Sequence, residues 1–188
     1  MRLTRTVYVA PIVALVAAGC FQSHPPLTPA EKYQKAQQAL SAAKDPKDRY
    51  SALEDAAKSA LDVDEREKTK AYATGLLELA QAQRGDWNYG NATHGGHVVL
   101  ERLALVDGDR ESAKRHLLAA GGTAGSPQLG TFGPNMTLAR DLIKAGEKDA
   151  VLQYFDLCRK FWKAGPLDKW TKDVQSGAMP DFGANLLY

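Results

Sequence analysis

The chain has 188 residues and a formal charge of +2, with 44% apolar and 24% charged residues, which suits one globular domain with a full core. Arg2 and Arg5 supply both excess charges and lie in a segment expected to be removed, leaving a neutral mature chain. No basic excess then remains to neutralise phosphates, which argues against nucleic-acid binding driven by charge.

Residues 1–19 have the plan of a secretory signal, with Arg2 and Arg5 ahead of an apolar run from Val7 to Val16. That run is too short for a permanent membrane-spanning helix. Ala17, Ala18 and Gly19 precede Cys20, and the ending VAAGC resembles the bacterial lipobox, in which the cysteine is acylated and becomes the new N-terminus. Ala17 stands where that motif prefers Leu. The resemblance implies a lipoprotein signal peptide and lipidation at Cys20. Phe21 is not the Asp that retains such proteins at an inner membrane, so the expected location is the cell envelope, at an outer membrane facing the periplasm if the cell has one. Cys158 is the one other cysteine and is expected to be a buried thiol on an apolar helix face.

Residues 20–27 include FQSHPPL, which has two prolines and no period, as a short extended tether would. From Thr28 to Tyr188 we expect a single helical domain. Thr28, Pro29 and Glu31 make a cap, first-turn proline and capping box, and Tyr33, Ala36, Leu40 and Ala43 form the inner stripe. Asp45 and Pro46 repeat that start, followed by Tyr50, Leu53, Ala57 and Ala60. Asp64 and Glu67 open a third helix whose inner face is Ala71 or Tyr72, Gly75, Leu76, Leu79 and Ala82.

A helical hairpin follows, with Val99, Leu103 and Val106 on its first helix and Ala113, Leu117 and Ala120 on its second. Gly108 stops one helix and Asp109 caps the next. So short a turn forces antiparallel packing, and Ala113 permits close approach. Pro134 to Ala145 gives a sixth helix with Leu138, Leu142 and Ile143 inside, and Lys148 to Lys163 a seventh with Val151, Phe155, Cys158 and Trp162. A short last helix carries Leu167, Trp170 and Val174. No strand-like alternation appears after the signal segment.

Gly108 and Gly146 are 38 residues apart, and Leu117 and Phe155 hold the same place after each. The run GDRESAKRHLLAA resembles the second helix of a tetratricopeptide repeat, where a Gly-Asp turn precedes Ala, a large apolar residue and Ala. The repeat period of that class is about 34, so the extra length belongs to the loop between hairpins. Beyond the repeat, DWNYGNATHGGHVVLERLALVDGDRESAKRHLLAAG, GSPQLGTFGPNMTLARDL, YFDLCRKFW and PDFGANLLY resemble a family of uncharacterised bacterial helical-repeat proteins, over roughly Leu53 to Tyr188. The resemblance implies a fold and no particular chemistry: all-α, a tetratricopeptide-like stack of antiparallel helical hairpins, a short α-solenoid with a C-terminal capping helix and tail.

Three candidate sites arise from the residues. His94, His97 and Glu101 are spaced to face one way along a helix and offer two imidazoles and a carboxylate to a metal, although the HExxH pattern of metalloproteases is missing. The phrase GSPQLGTFGPN sets Gly125, Gly130, Gly133, Pro127 and Pro134 around Gln128, Phe132 and Asn135, as in a shaped loop, or one that covers the hairpin with Leu129 and Phe132. Trp87, Tyr89 and Asn91, with Asp181, Phe182 and Asn185 in the tail, suit either a groove lining or a plug for the open end of the stack.

Loops on one end of a hairpin stack meet. A ligand cleft is therefore expected where His94, His97, Gln128 and Asn135 converge, walled by Trp87, Tyr89 and Phe132. The leading expectation is a lipid-anchored module that binds a protein or peptide at the bacterial cell envelope, with no cofactor. A metal-dependent hydrolase on His94, His97 and Glu101, and a purely structural envelope protein, are the alternatives.

Overall fold

The computed structural model describes residues 25–186; the signal segment, Cys20 and most of the tether lie outside them. Among the described residues there are nine α-helices, one terminal 3-10 turn and no strand. The helices are α1 (Pro29–Ala42), α2 (Pro46–Asp62), α3 (Arg66–Ala82), α4 (Tyr89–Val106), α5 (Arg110–Gly121), α6 (Pro127–Phe132), α7 (Thr137–Lys144), α8 (Lys148–Cys158) and α9 (Leu167–Gln175). None is long and apolar enough to cross a membrane.

Local chemistry sets many of the boundaries. Thr28 accepts from the Glu31 amide and Glu31 reaches back to Thr28, completing the capping box of α1. Asp45 and Asp109 cap α2 and α5 by accepting from Asp48 and Ser112 amides. Gly108 and Gly146 take φ of +77° and +90°, a left-handed turn that side chains disfavour, and each opens the link to the next helix.

The hairpins α2/α3, α4/α5 and α7/α8 follow one another in a stack. α4 packs on α2 and α3, α7 on α4 and α5, and α8 on α5, while α1 lies on α2 and α9 closes the far end on α8. The architecture is thus the expected all-α stack of helical hairpins. Leu117 and Phe155, the equivalent residues of successive hairpins, are both fully buried.

Several details differ from expectation. α4 begins at Tyr89, ahead of both histidines, and runs through Gly90, Gly95 and Gly96. Glycine weakens an isolated helix by about 1 kcal/mol, but here it lets neighbours in. A Cβ on Gly90 would lie 1.8 Å from the Gly125 carbonyl oxygen, and one on Gly95 would lie 2.9 Å from the Glu54 carboxylate. The Gly125–Asn135 phrase is not only a loop: Ser126 caps it, Pro127 starts it, and α6 forms. α7 accordingly starts at Thr137 rather than Pro134, and α8 ends at Cys158 rather than Lys163, although Trp162 is buried as expected. The buried residues of α3 are Thr69, Ala73, Leu76 and Ala80, a face rotated from the expected one, and Val106 is 55% exposed.

Candidate functional site

A cleft of about 310 Å³ opens between α2, α4, α6 and the start of α7. α4 contributes the longest edge, with Asn88 just before it and Asn91, Gly95, Val98 and Arg102 rising along one face. α2 supplies Glu54 and Lys58, which form an ion pair at 2.6 Å over Gly95. The small side of Gly95 is what allows that pair to lie so low. α6 supplies Gln128, Leu129 and Phe132, and the α6–α7 link supplies Asn135. Phe132 is 66% exposed, an unusual position for a large apolar ring.

The covering segment is clasped to α4. Ser126 donates its hydroxyl to Asn91 Oδ1 while accepting from the Leu129 amide. Asn91 Nδ2 then donates to Asn88 Oδ1 at 2.7 Å and to Gln128 Oε1 at 3.1 Å. Thr123 adds a hydroxyl bond to the Gly90 carbonyl. The tail holds the other end, since Asn185 Nδ2 donates to the Phe132 and Pro134 carbonyls and the Met136 amide donates to the Asn185 carbonyl. Phe182 is buried against Trp170, so these tail residues plug the stack and do not line the cleft.

Of the residues expected to converge, His94, Gln128, Phe132 and Asn135 do so. His97, Trp87 and Tyr89 do not. His97 turns toward α5, where its Nδ1 lies 3.1 Å from His116 Nδ1, one nitrogen donating to the other. Burial, with His116 and His94 nearby, pushes His97 down to about 4, so it is neutral at physiological pH. Trp87 is 51% exposed in the turn ahead of α4 and outside the cleft. Tyr89 is the first residue of α4 and packs against the cluster of Tyr50, Leu53, Leu76, Ala80 and Ala92.

His94 occupies the cleft floor. Its Nδ1–H donates to the Ala120 carbonyl at 3.2 Å, which leaves Nε2 as a bare acceptor. No described group donates to that nitrogen. Burial lowers the His94 pKa, so the ring stays neutral. Glu101 is fully buried, and neither carboxylate oxygen has a hydrogen-bond partner. Burial, with Asp141 nearby, raises its pKa well above the ordinary carboxylate range. The spacing of His94, His97 and Glu101 is realised on α4, but the three do not meet: among the described residues no cluster of three metal-ligating side chains forms.

Glu54, Lys58, Arg102 and His116 escaped the sequence reading. The signal for Arg102 was the stripe Asn91, Gly95, Val98 and Arg102, at spacings of four, three and four. For Glu54 and Lys58 it was only an i, i+4 ion pair, which most exposed helices carry. Comparison of the chain with protein-family models, curated proteins and solved structures gave no match.

Proposed function

We propose that the protein is a lipid-anchored helical-repeat module of the bacterial cell envelope that binds a protein or peptide partner in the cleft between α2, α4, α6 and α7. The observation that supports this reading is the cleft itself: polar groups on rigid helices surround apolar walls. Residues from separate hairpins build it, so the site depends on stacking and not on any one helix pair. The exposed ring of Phe132 is a ready contact for a partner's apolar side chain. Anchoring follows from the VAAGC ending, because the several acyl chains of a lipoprotein hold a membrane firmly where one alone binds marginally.

A photoreactive residue in place of Phe132, compared with one in place of exposed Gln153 on α8, tests the cleft in living cells. A defined crosslinked partner at the first position and none at the second is expected. Equal crosslinking from both, or none from Phe132, removes the cleft as the binding site. Cys20→Ser should shift the protein out of the membrane fraction. An unchanged fraction would refute the anchor.

A further inference from the structure

We propose that the cleft selects an extended peptide segment carrying an aspartate or glutamate side chain, and that Arg102 anchors its carboxylate. The inference rests on the peptide-binding reading and adds the chemistry that the peptide must carry.

Hydrogen bonds among the lining groups set the polarity of the cleft. The Leu129 amide donates to Ser126 Oγ, whose own hydroxyl donates to Asn91 Oδ1. Asn91 is left with its two N–H hydrogens, which go to Asn88 Oδ1 and Gln128 Oε1. Both of those amides therefore have their oxygens engaged and keep their NH2 groups for a ligand. Asn135 reaches the same state independently, because its Oδ1 accepts from the Thr137 amide at 2.8 Å. Three amides thus show donors to the cleft.

Charge points the same way. Lys58 is neutralised by Glu54 at 2.6 Å. Arg102 lines the cleft, and among the described residues no carboxylate lies within salt-bridge distance and no acceptor receives its hydrogens. A guanidinium carries five donors in a fork that matches a carboxylate. The acceptors in the cleft are the Glu54 carboxylate, which Lys58 engages, and beneath it His94 Nε2, a buried nitrogen to which no described group donates.

Distance selects a peptide over a small anion. Asn88 and Arg102 are fourteen residues apart along α4, which is about 21 Å at the helical rise. An extended chain covers that span with about six residues. Such a segment has carbonyls for the amides, apolar side chains for Phe132 and an acidic side chain for Arg102. A small carboxylate would meet one end alone.

The test uses the full chain purified in detergent and two pools of six-residue peptides, acetylated and amidated so that side chains hold the only carboxylates. One pool carries a single Asp or Glu in each peptide, and the other has Asn or Gln in its place. Equilibrium dialysis with mass spectrometry measures retention. The acidic pool should bind about tenfold more tightly, with the advantage lost in Arg102→Gln and partly kept in Arg102→Lys. Asn135→Asp preserves the acceptor for Thr137 while replacing a donor with a negative oxygen, so it should also erase the preference. Circular dichroism melts establish that each variant is folded, and Asn135→Asp decides the matter if Arg102→Gln is not.

Equal retention of both pools leaves the peptide reading standing and overturns the carboxylate inference. Retention of neither overturns both. An acidic preference that survives Arg102→Gln overturns the assignment of Arg102 to a side-chain carboxylate.

Discussion

The two ends of the stack are packed with different material. Around α2 and α3 the buried residues are mostly alanines, Ala52, Ala56, Ala57, Ala60, Ala73 and Ala80, with Tyr50, Leu53 and Leu76 as the larger members. Around α8 and α9 the core holds Tyr154, Phe155, Trp162, Trp170 and Phe182, with ring centroids of Trp170 5.6 Å from Trp162 and 4.9 Å from Phe182. Alanine contacts bring helix backbones close and bury little apolar surface per residue, whereas each aromatic ring buries much more. The first region should therefore resist truncation and fail on enlargement. The second should do the opposite. The cleft lies at the junction, where the alanine-packed α2 meets the segment pinned by the aromatic end.

The largest effect should come from cutting the aromatic end. Trp170→Ala removes a ring that touches Phe155, Trp162 and Phe182 and should cost about 3–5 kcal/mol. Thermal melting reads this directly, and a second probe is available in Cys158. Burial pushes that thiol up to about 12, so a thiol reagent should label native protein slowly and the variant quickly. Unchanged labelling in Trp170→Ala would detach α9 from the core.

Enlargement tests the other kind of packing. Ala57 in α2 and Ala113 in α5 are both fully buried at close helix contacts, and leucine at either should cost about 1–3 kcal/mol. A melting point equal to the parent's in Ala113→Leu would contradict the tight α4/α5 crossing, and in Ala57→Leu the alanine-packed account of the N-terminal region.

α4, between the two regions, buries groups whose ionisation opposes folding from both directions. For His97 the folded pKa lies below the unfolded one, so its contribution to stability is complete above about 6.5 and is lost as pH falls toward about 4. For Glu101 the folded pKa is raised, so stability is complete below the ordinary carboxylate range and is lost as pH rises toward the folded value. Denaturant midpoints should therefore flatten on the acid side in His97→Gln and on the alkaline side in Glu101→Gln. Parallel pH profiles for parent and variants would mean that other groups govern the dependence.

The smallest effect belongs to the outer helix. α1 buries only Ala36, so Thr28→Ala should cost about 1 kcal/mol of local helix stability. Hydrogen exchange should quicken along α1 while the global melt stays put. A lowered melting point would show α1 to be part of the cooperative core.

The readable parts of this chain were those governed by near neighbours. The caps at Thr28, Asp45 and Asp109 and the turns at Gly108 and Gly146 involve groups within a few residues, and each formed as expected. So did the inner faces of α2, α5, α7 and α9, which have one buried side and a clear period. The face of α3 was misjudged because small residues surround it and a neighbour's position decides which side is covered, and Val106 because it is the last residue of α4, at an exposed turn. α6 was missed as a helix because it has only six residues, Gly130 among them, although Ser126 and Pro127 repeat the cap and first-turn proline of α1 and α2. Four of the seven residues expected at the cleft, His94, Gln128, Phe132 and Asn135, line it, because end-to-end geometry brings those segments together.

Composition, capping chemistry and the 3.6-residue period were enough to determine that the folded part would be helical and where most helices would end, while the stacking of hairpins was what the resemblance to helical-repeat proteins implied. Which side of α4 became a cleft was decided by the tertiary structure alone. That helix is packed by α2, α3, α5, α6 and α7, with buried residues around nearly its whole circumference. A one-sided apolar stripe tells a helix where its core is, and a helix covered on all sides has none to read. Packing therefore sent His97 to His116, sealed Glu101 away from water, and left His94 and Arg102 at the one face that no other helix fills.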